Sequence, residues 1–212
     1  MQNVMSKDHW EGVYEKLPVE KLGWHENSPD QSLELIESCM LPQDATILNV
    51  GAGATTLVDE LLKKAYNNIV ANDISSSALV ELKKRLGPEL SEKVQWVVDD
   101  LTHPDLLLTL GPVDLWHDRA VLHFFNHKEE QESYFNLLRK LLKKGGYVII
   151  AAFNLNGPKQ CSGLPVFRYD QQMLQEKLGE SFNLIRSFDY TYMTPSGNPR
   201  EYVYTLFQRN SA

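Results

Sequence analysis

Short apolar runs alternate with helix-period segments along most of this chain, and that alternation constrains its fold more than any other feature. Thr46–Val50 is an apolar run that ends at Gly51. Thr55–Tyr66 follows with leucines at 57, 61 and 62, which fall on one helical face. Asn68–Asp73, Val94–Val98, Val113–Asp118 and Tyr147–Phe153 read as further strands. Ser77–Leu86 and Lys128–Lys143 read as helices between them. Hydroxyls at Ser75–Ser77 offer N-caps to the first, and Gly145 and Gly146 are expected to stop the second. Strands this continuously apolar suit a parallel sheet covered by helices on both faces.

The last third changes character. Asp170–Leu178 predicts one more helix. Phe182–Met193 and Arg200–Arg209 then predict two long strands around the turn-forming cluster Thr194–Pro199. Strands joined that closely must be antiparallel. The expectation is an α/β fold with a seven-stranded, mostly parallel sheet and an antiparallel last strand. Phe153–Tyr169 predicts a long loop, with Cys161–Pro165 as a candidate substrate wall.

The chain has 212 residues, enough for one domain and a short appendage. Residues 1–39 read as an N-terminal arm or lid carrying Trp10, Tyr14 and Trp24, and 40–212 as the ligand-binding domain. A net charge of −7 disfavours a nucleic-acid partner, because such binders neutralise phosphates with a basic face. Two cysteines without a C-x-x-C pair argue against a thiolate zinc site and suit a reducing compartment. His123 and His127 are four apart, but no carboxylate stands at a ligand spacing, so no metal is expected. A polar start and short apolar runs lead to the expectation of a cytoplasmic protein with no membrane partner.

The sharpest local feature is Leu48-Asn-Val-Gly-Ala-Gly-Ala-Thr55, at the first strand-to-helix junction. Two glycines let the backbone turn and approach a ligand closely. The junction lies at the carboxyl end of the first strand, where open α/β sheets bind ligands. Asp73 ends the next strand, 20 residues after Gly53, and a carboxylate there can accept both hydroxyls of a ribose. Thr56 stands where a dinucleotide fingerprint wants its third glycine, which favours a nucleoside without a pyrophosphate.

Together with Val97-Val-Asp-Asp-Leu101, Asp114-Leu-Trp-His-Asp-Arg119 and Leu141-Leu-Lys-Lys-Gly-Gly-Tyr-Val148, these pieces resemble the class I S-adenosylmethionine-dependent methyltransferases. The resemblance implies a Rossmann-like sheet and S-adenosylmethionine as cofactor. It implies that Gly51, Ala52 and Gly53 lie against the methionine moiety, with Asn49 where the family often has an acid. It puts Asp73 on the ribose, Ile74 on the adenine, Asp100 and Leu101 at the adenine edge, and Asp118 by the sulfonium.

Two subgroups are similar. The thiopurine methyltransferase-like group has an N-terminal aromatic segment and an Asp-Arg pair, here Trp10, Tyr14, Trp24 and Asp118-Arg119. In that likeness the aromatics cover the cofactor and Arg119 faces the substrate. The elongation-factor lysine methyltransferases share the aromatic segment and the stretch Ile69–Ser75, but usually read Asp-Lys-Gly where this chain has Asp118-Arg119-Ala120. The expected activity is methyl transfer to a small-molecule thiol, amine or heteroaromatic acceptor. A protein lysine is the alternative acceptor, and a non-catalytic nucleoside-binding module is the alternative from another class. Aligning nucleophile and methyl is the main catalytic task and supplies up to ~7–11 kcal/mol. Arg119 is a candidate for lowering a thiol pKa, and His123 for a general base.

Overall fold

The computed structural model describes residues 4–211. Its main sheet comprises β1 (Thr46–Val50), β2 (Asn68–Asp73), β3 (Val94–Val98), β4 (Val113–Arg119), β5 (Leu142–Phe153), β8 (Phe182–Met193) and β9 (Pro199–Arg209). Their spatial order is β3-β2-β1-β4-β5-β9-β8. The first five are parallel neighbours, and β9 runs antiparallel between β5 and β8. The expected seven strands and single antiparallel last strand are therefore present. A two-stranded ribbon, β6 (Gln160–Cys161) and β7 (Leu164–Pro165), interrupts the segment expected to be a loop. Its turn uses Ser162 and Gly163 at positive φ, the pairing that a tight hairpin needs.

Among the described residues six α-helices accompany the strands: α1 (Val4–Lys16), α2 (Asp30–Ser38), α3 (Leu57–Lys63), α4 (Ser76–Ser91), α5 (Lys128–Leu141) and α6 (Gln171–Leu178). Period-two alternation sorts the strand residues onto two faces. Leu48, Val70, Trp116 and Ile150 pack with Phe135, Leu138 and Leu174 of α5 and α6. Ile47, Ile69, Leu115 and Ile149 pack with Ile36, Leu61 and Leu82 of α2, α3 and α4. Both faces are dry, which is why these strands read as unbroken apolar runs.

Three boundaries differ from expectation for physical reasons. The helix over Lys128–Lys143 ends at Leu141, and β5 begins at once, carrying Gly145 and Gly146 inside it. A Cβ at 146 would lie 3.0 Å from the Asp114 and Lys143 carbonyl oxygens, so that glycine serves close strand approach rather than a helix stop. α4 runs on to Ser91 across a kink at Gly87, which has φ 73° and precedes Pro88. α2 belongs to the sheet core, with Leu35 and Ile36 at 0% exposure, so the segment standing apart from the sheet ends before it.

Candidate active site

The turn after β1 positions the first wall. Gly51 and Gly53 have φ of 54° and 53°, a region that favours glycine. A Cβ at 51 would meet Val121 Cγ2 at 2.0 Å, and one at 53 would meet the Tyr14 hydroxyl at 2.4 Å. The loop is thus cradled between the β4 exit and α1. The Asp73 carboxylate spans the next junction, accepting from Gly53 N–H at 2.7 Å and Ser75 N–H at 2.9 Å. Burial pushes Asp73 up to about 6, against the pull of these amides.

α1 lies across the start of α4 and is fastened there by one side chain. Glu11 accepts from Ser75 Oγ (2.8 Å), from Ser76 N–H and Oγ (both 2.8 Å) and from Ser77 N–H (2.9 Å). Burial works to raise its pKa, but the bonds from Ser77, Ser76 and Ser75 outweigh that and hold it at about 2. A carboxylate at a helix N-terminus satisfies orphan amides and meets the positive end of the dipole. Trp10 packs edge-to-face on Trp24 (5.5 Å between centroids) and Phe124 (4.9 Å), and Trp24 Nε1 donates to the Tyr14 hydroxyl at 3.3 Å.

Beneath this aromatic roof lie two cavities. The larger holds about 780 Å³ counting its open mouth. Trp10, Tyr14, Trp24, Asp73 and Ile74 form part of its wall, with Gly51, Asp100, Leu101 and Arg119. Its far side is Val121, Phe124, Phe125 and Cys161. The smaller holds about 480 Å³ and is lined by Asn49, Gly51, Ala52, Gly53, Glu26 and His117, among others. Trp24, Gly51 and Arg119 border both. Twelve of the fourteen expected site residues therefore converge on one continuous region at the carboxyl ends of β1, β2 and β4.

Asp118 and His123 line neither cavity. Successive β4 side chains alternate, so Asp118 points with Trp116 towards α5 while His117 and Arg119 take the other face. The Asp118 carboxylate accepts from Tyr134 Oη (2.7 Å), Val121 N–H (3.0 Å) and Leu122 N–H (3.1 Å), bracing the turn that follows β4. Burial pushes it up to about 7. His123 is 0% exposed and stacks on Phe153 at 4.3 Å. Its Nδ1 accepts from Phe153 N–H at 3.4 Å, and burial, aided by the Arg119 charge, pushes it down to about 3. The expectation of a substrate-facing base at 123 is corrected accordingly. His123 and His127 also share no helix, because His127 is the N-cap of α5.

Arg119 does reach the cavities, but its donors are engaged. It pairs with Glu26 at 2.9 Å and donates to Tyr204 Oη (3.1 Å) and the Trp24 carbonyl (2.9 Å). Its guanidinium also stands over the Tyr192 and Tyr202 rings at 5.1 and 5.2 Å. Burial opposes its charge, and the Tyr204 and Tyr202 hydroxyls with Glu26 restore it. Glu26, whose own pKa burial raises, offsets the cation that was expected to activate a thiol. Arg119 is first an anchor for the segment 24–26.

Glu11, Glu26, Phe124 and Phe125 are site residues that sequence reasoning did not single out. The aromatic pair could have been found from its place just beyond a strand's carboxyl end. Nothing local marks Glu11 or Glu26, whose partners lie 64 and 93 residues away. Among the described residues no group of three or more His, Cys, Asp or Glu side chains is placed to hold a metal, and no helix is long and apolar enough to cross a membrane.

Residues 48–148 match a family model described as a methyltransferase domain. EEF1A lysine methyltransferase 2 of Mus musculus is 24% identical over 160 residues, covering 70% of this chain and 66% of that protein. The chain thus spans about two thirds of the length of that curated relative. An S-adenosylmethionine-dependent methyltransferase from Anabaena variabilis superposes with a TM-score of 0.73 at 15% identity, covering 96% of this chain and 94% of that one. The 1,6-didemethyltoxoflavin-N1-methyltransferase of Burkholderia thailandensis, solved with S-adenosylhomocysteine, gives 0.66 at 19% identity over 98% and 85%. The glycine cradle and the enclosed cavities fit a nucleoside with an amino-acid tail. Domain match, relatives and shared fold together support an S-adenosylmethionine-dependent methyltransferase of the class I fold, with S-adenosylmethionine as the methyl donor.

Proposed function

We propose that the enzyme methylates a nitrogen or sulfur of a small molecule admitted beneath the aromatic roof. The observation that carries this reading is the enclosure of the larger cavity by Trp10, Trp24, Phe124 and Phe125. Small-molecule sites are concave and mostly apolar, as this cavity is, and the donor must share it. A flat or compact acceptor fits the remainder, whereas a folded protein surface meets α1 first.

In this reading Asp73 holds the ribose, Ile74 and Leu101 flank the base with Asp100 at its edge, and Asn49 with residues 51–53 receives the amino-acid end. Trp10, Tyr14 and Trp24 close over the donor, making the segment before α2 an arm over the catalytic domain. The donor supplies a methyl group already activated on a sulfonium. The chain's own task is then alignment and exclusion of water, which the aromatic walls serve. His123, buried and neutral, supports the wall through Phe124 and takes no proton from the acceptor.

A lysine acceptor is the second reading, favoured by the name of the curated relative. A lysine side chain would enter through the mouth as a single extended chain. The two are separated by supplying the donor with a panel of small thiols, amines and nitrogen heterocycles, and separately with basic proteins, and weighing products by mass spectrometry. A gain of one methyl on small acceptors supports the proposal. Methylation confined to protein lysines would replace it with the second reading.

A further inference from the structure

Trp24, Gly51 and Arg119 border both cavities, and Glu26 borders the smaller. Arg119 Nη2 lies 2.9 Å from Glu26 Oε1, and the two side chains are 11% and 10% exposed. The segment that carries Glu26 is fastened without its carboxylate. Arg119 of β4 donates to the Trp24 carbonyl, Tyr192 of β8 to the His25 carbonyl, and Thr56, the N-cap of α3, to the Glu26 carbonyl. Consecutive carbonyls are thus taken by side chains of different elements. An enclosed ion pair adds little stability beyond that, because desolvating both ions offsets their attraction. What the Glu26 carboxylate does add is a negative charge against Arg119 where the cavities adjoin.

In the placement proposed above, the nucleoside end of the donor lies in the larger cavity and the amino-acid end in the smaller. The donor's sulfur joins those two ends, so it falls at the junction, beside the residues that border both cavities. That sulfur carries a full positive charge in S-adenosylmethionine and none in S-adenosylhomocysteine. An uncompensated guanidinium at the junction would repel the first ligand and not the second. Of the other titratable groups in the walls, Asp73 is committed to the Gly53 and Ser75 amides, and burial keeps His117 neutral.

We propose that Glu26 is a specificity-determining residue: by cancelling the Arg119 charge at the junction of the cavities, it lets the site favour the sulfonium donor over its neutral product. The inference rests on the donor extending from the larger cavity into the smaller. It gives the buried pair a use that fastening the arm does not require. A glutamine at 26 would keep the backbone carbonyl that Thr56 holds and much of the side chain's shape, and would lose only the charge.

Calorimetric titration with S-adenosylmethionine and S-adenosylhomocysteine, without acceptor, gives the ratio of the two affinities. That ratio cancels any loosening of the segment 24–26, which weakens both ligands alike. Glu26→Gln should lower the preference for S-adenosylmethionine roughly tenfold, the scale of one like charge a few ångströms from the sulfur. Arg119→Met alone should not lower it. The double variant Glu26→Gln/Arg119→Met should return the ratio to within about twofold of wild type, even where both affinities are weaker. Melting temperatures check that each variant is folded. An unchanged ratio in Glu26→Gln, a ratio that stays low in the double variant, or a fall in Arg119→Met alone would each overturn the assignment. Equal loss of both ligands in Glu26→Gln would make Glu26 a fastening residue only, and overturn it too. Wild-type protein that binds neither ligand would instead overturn the donor placement on which the inference stands.

Discussion

At the residue scale, Asp118, which the resemblance puts by the sulfonium, braces the fold. Asp118 is 0% exposed, and its oxygens take hydrogen bonds from Val121 and Leu122 in the turn after β4 and from Tyr134 of α5. Burial raises its pKa from the usual 3.8 to about 7. A carboxyl raised in the folded state binds its proton more tightly there than in the unfolded chain. Its contribution to stability is therefore greatest below about pH 4 and is lost as pH rises towards 7. Asp118→Asn should remove that slope, so that the variant gains stability relative to wild type between pH 4 and 8, by a few kcal/mol at most. Denaturant unfolding of both proteins across that range checks it, and parallel stability curves would contradict it. Asp73, raised to about 6, keeps a smaller slope of the same sign in both proteins.

At the scale of elements, α1 is held to the sheet domain by few but specific contacts. It carries no continuous apolar stripe, and its burial is concentrated in Tyr14. Glu11 fastens it to the first turn of α4, directly after Asp73. Such an element opens at lower free energy than the core. Glu11→Ala should raise hydrogen exchange in α1 and the adjoining turn of α4 while leaving α5 unchanged. It should also weaken S-adenosylhomocysteine binding roughly tenfold, through the cost of ordering the arm. Uniformly faster exchange, or unaltered binding, would show that α1 is not the roof of the site. The sequence does not disclose this fastening, because Glu11 and Ser75–Ser77 are far apart in the chain and carboxylates in polar segments are common.

At the scale of the whole molecule, the strands and their order of appearance were legible because apolar periodicity is a local property. β2 and β3 fall on their expected residues, since turn residues bound them closely. The β5 start was not legible, because Gly145 and Gly146 read as a stop signal when they serve close approach inside a strand. The site was legible where the backbone makes it, at the glycine turn and at Asp73. It was less so where side-chain direction decides, as at Asp118, which alternation along β4 turns towards α5, and at His123, which the short helix after β4 buries against Phe153. The hydrogen bonds that join Ser32, His117 and Asn49 were out of reach, because they span three elements across the sheet face.

The most direct test is a crystal structure of the wild-type protein grown with S-adenosylhomocysteine. The account predicts the ribose at Asp73, the base between Ile74 and Leu101, the amino-acid end beside Asn49, and Trp10 closed above them. A nucleoside bound anywhere else, or an occupied site with α1 lifted away from Glu11's partners on α4, would contradict it.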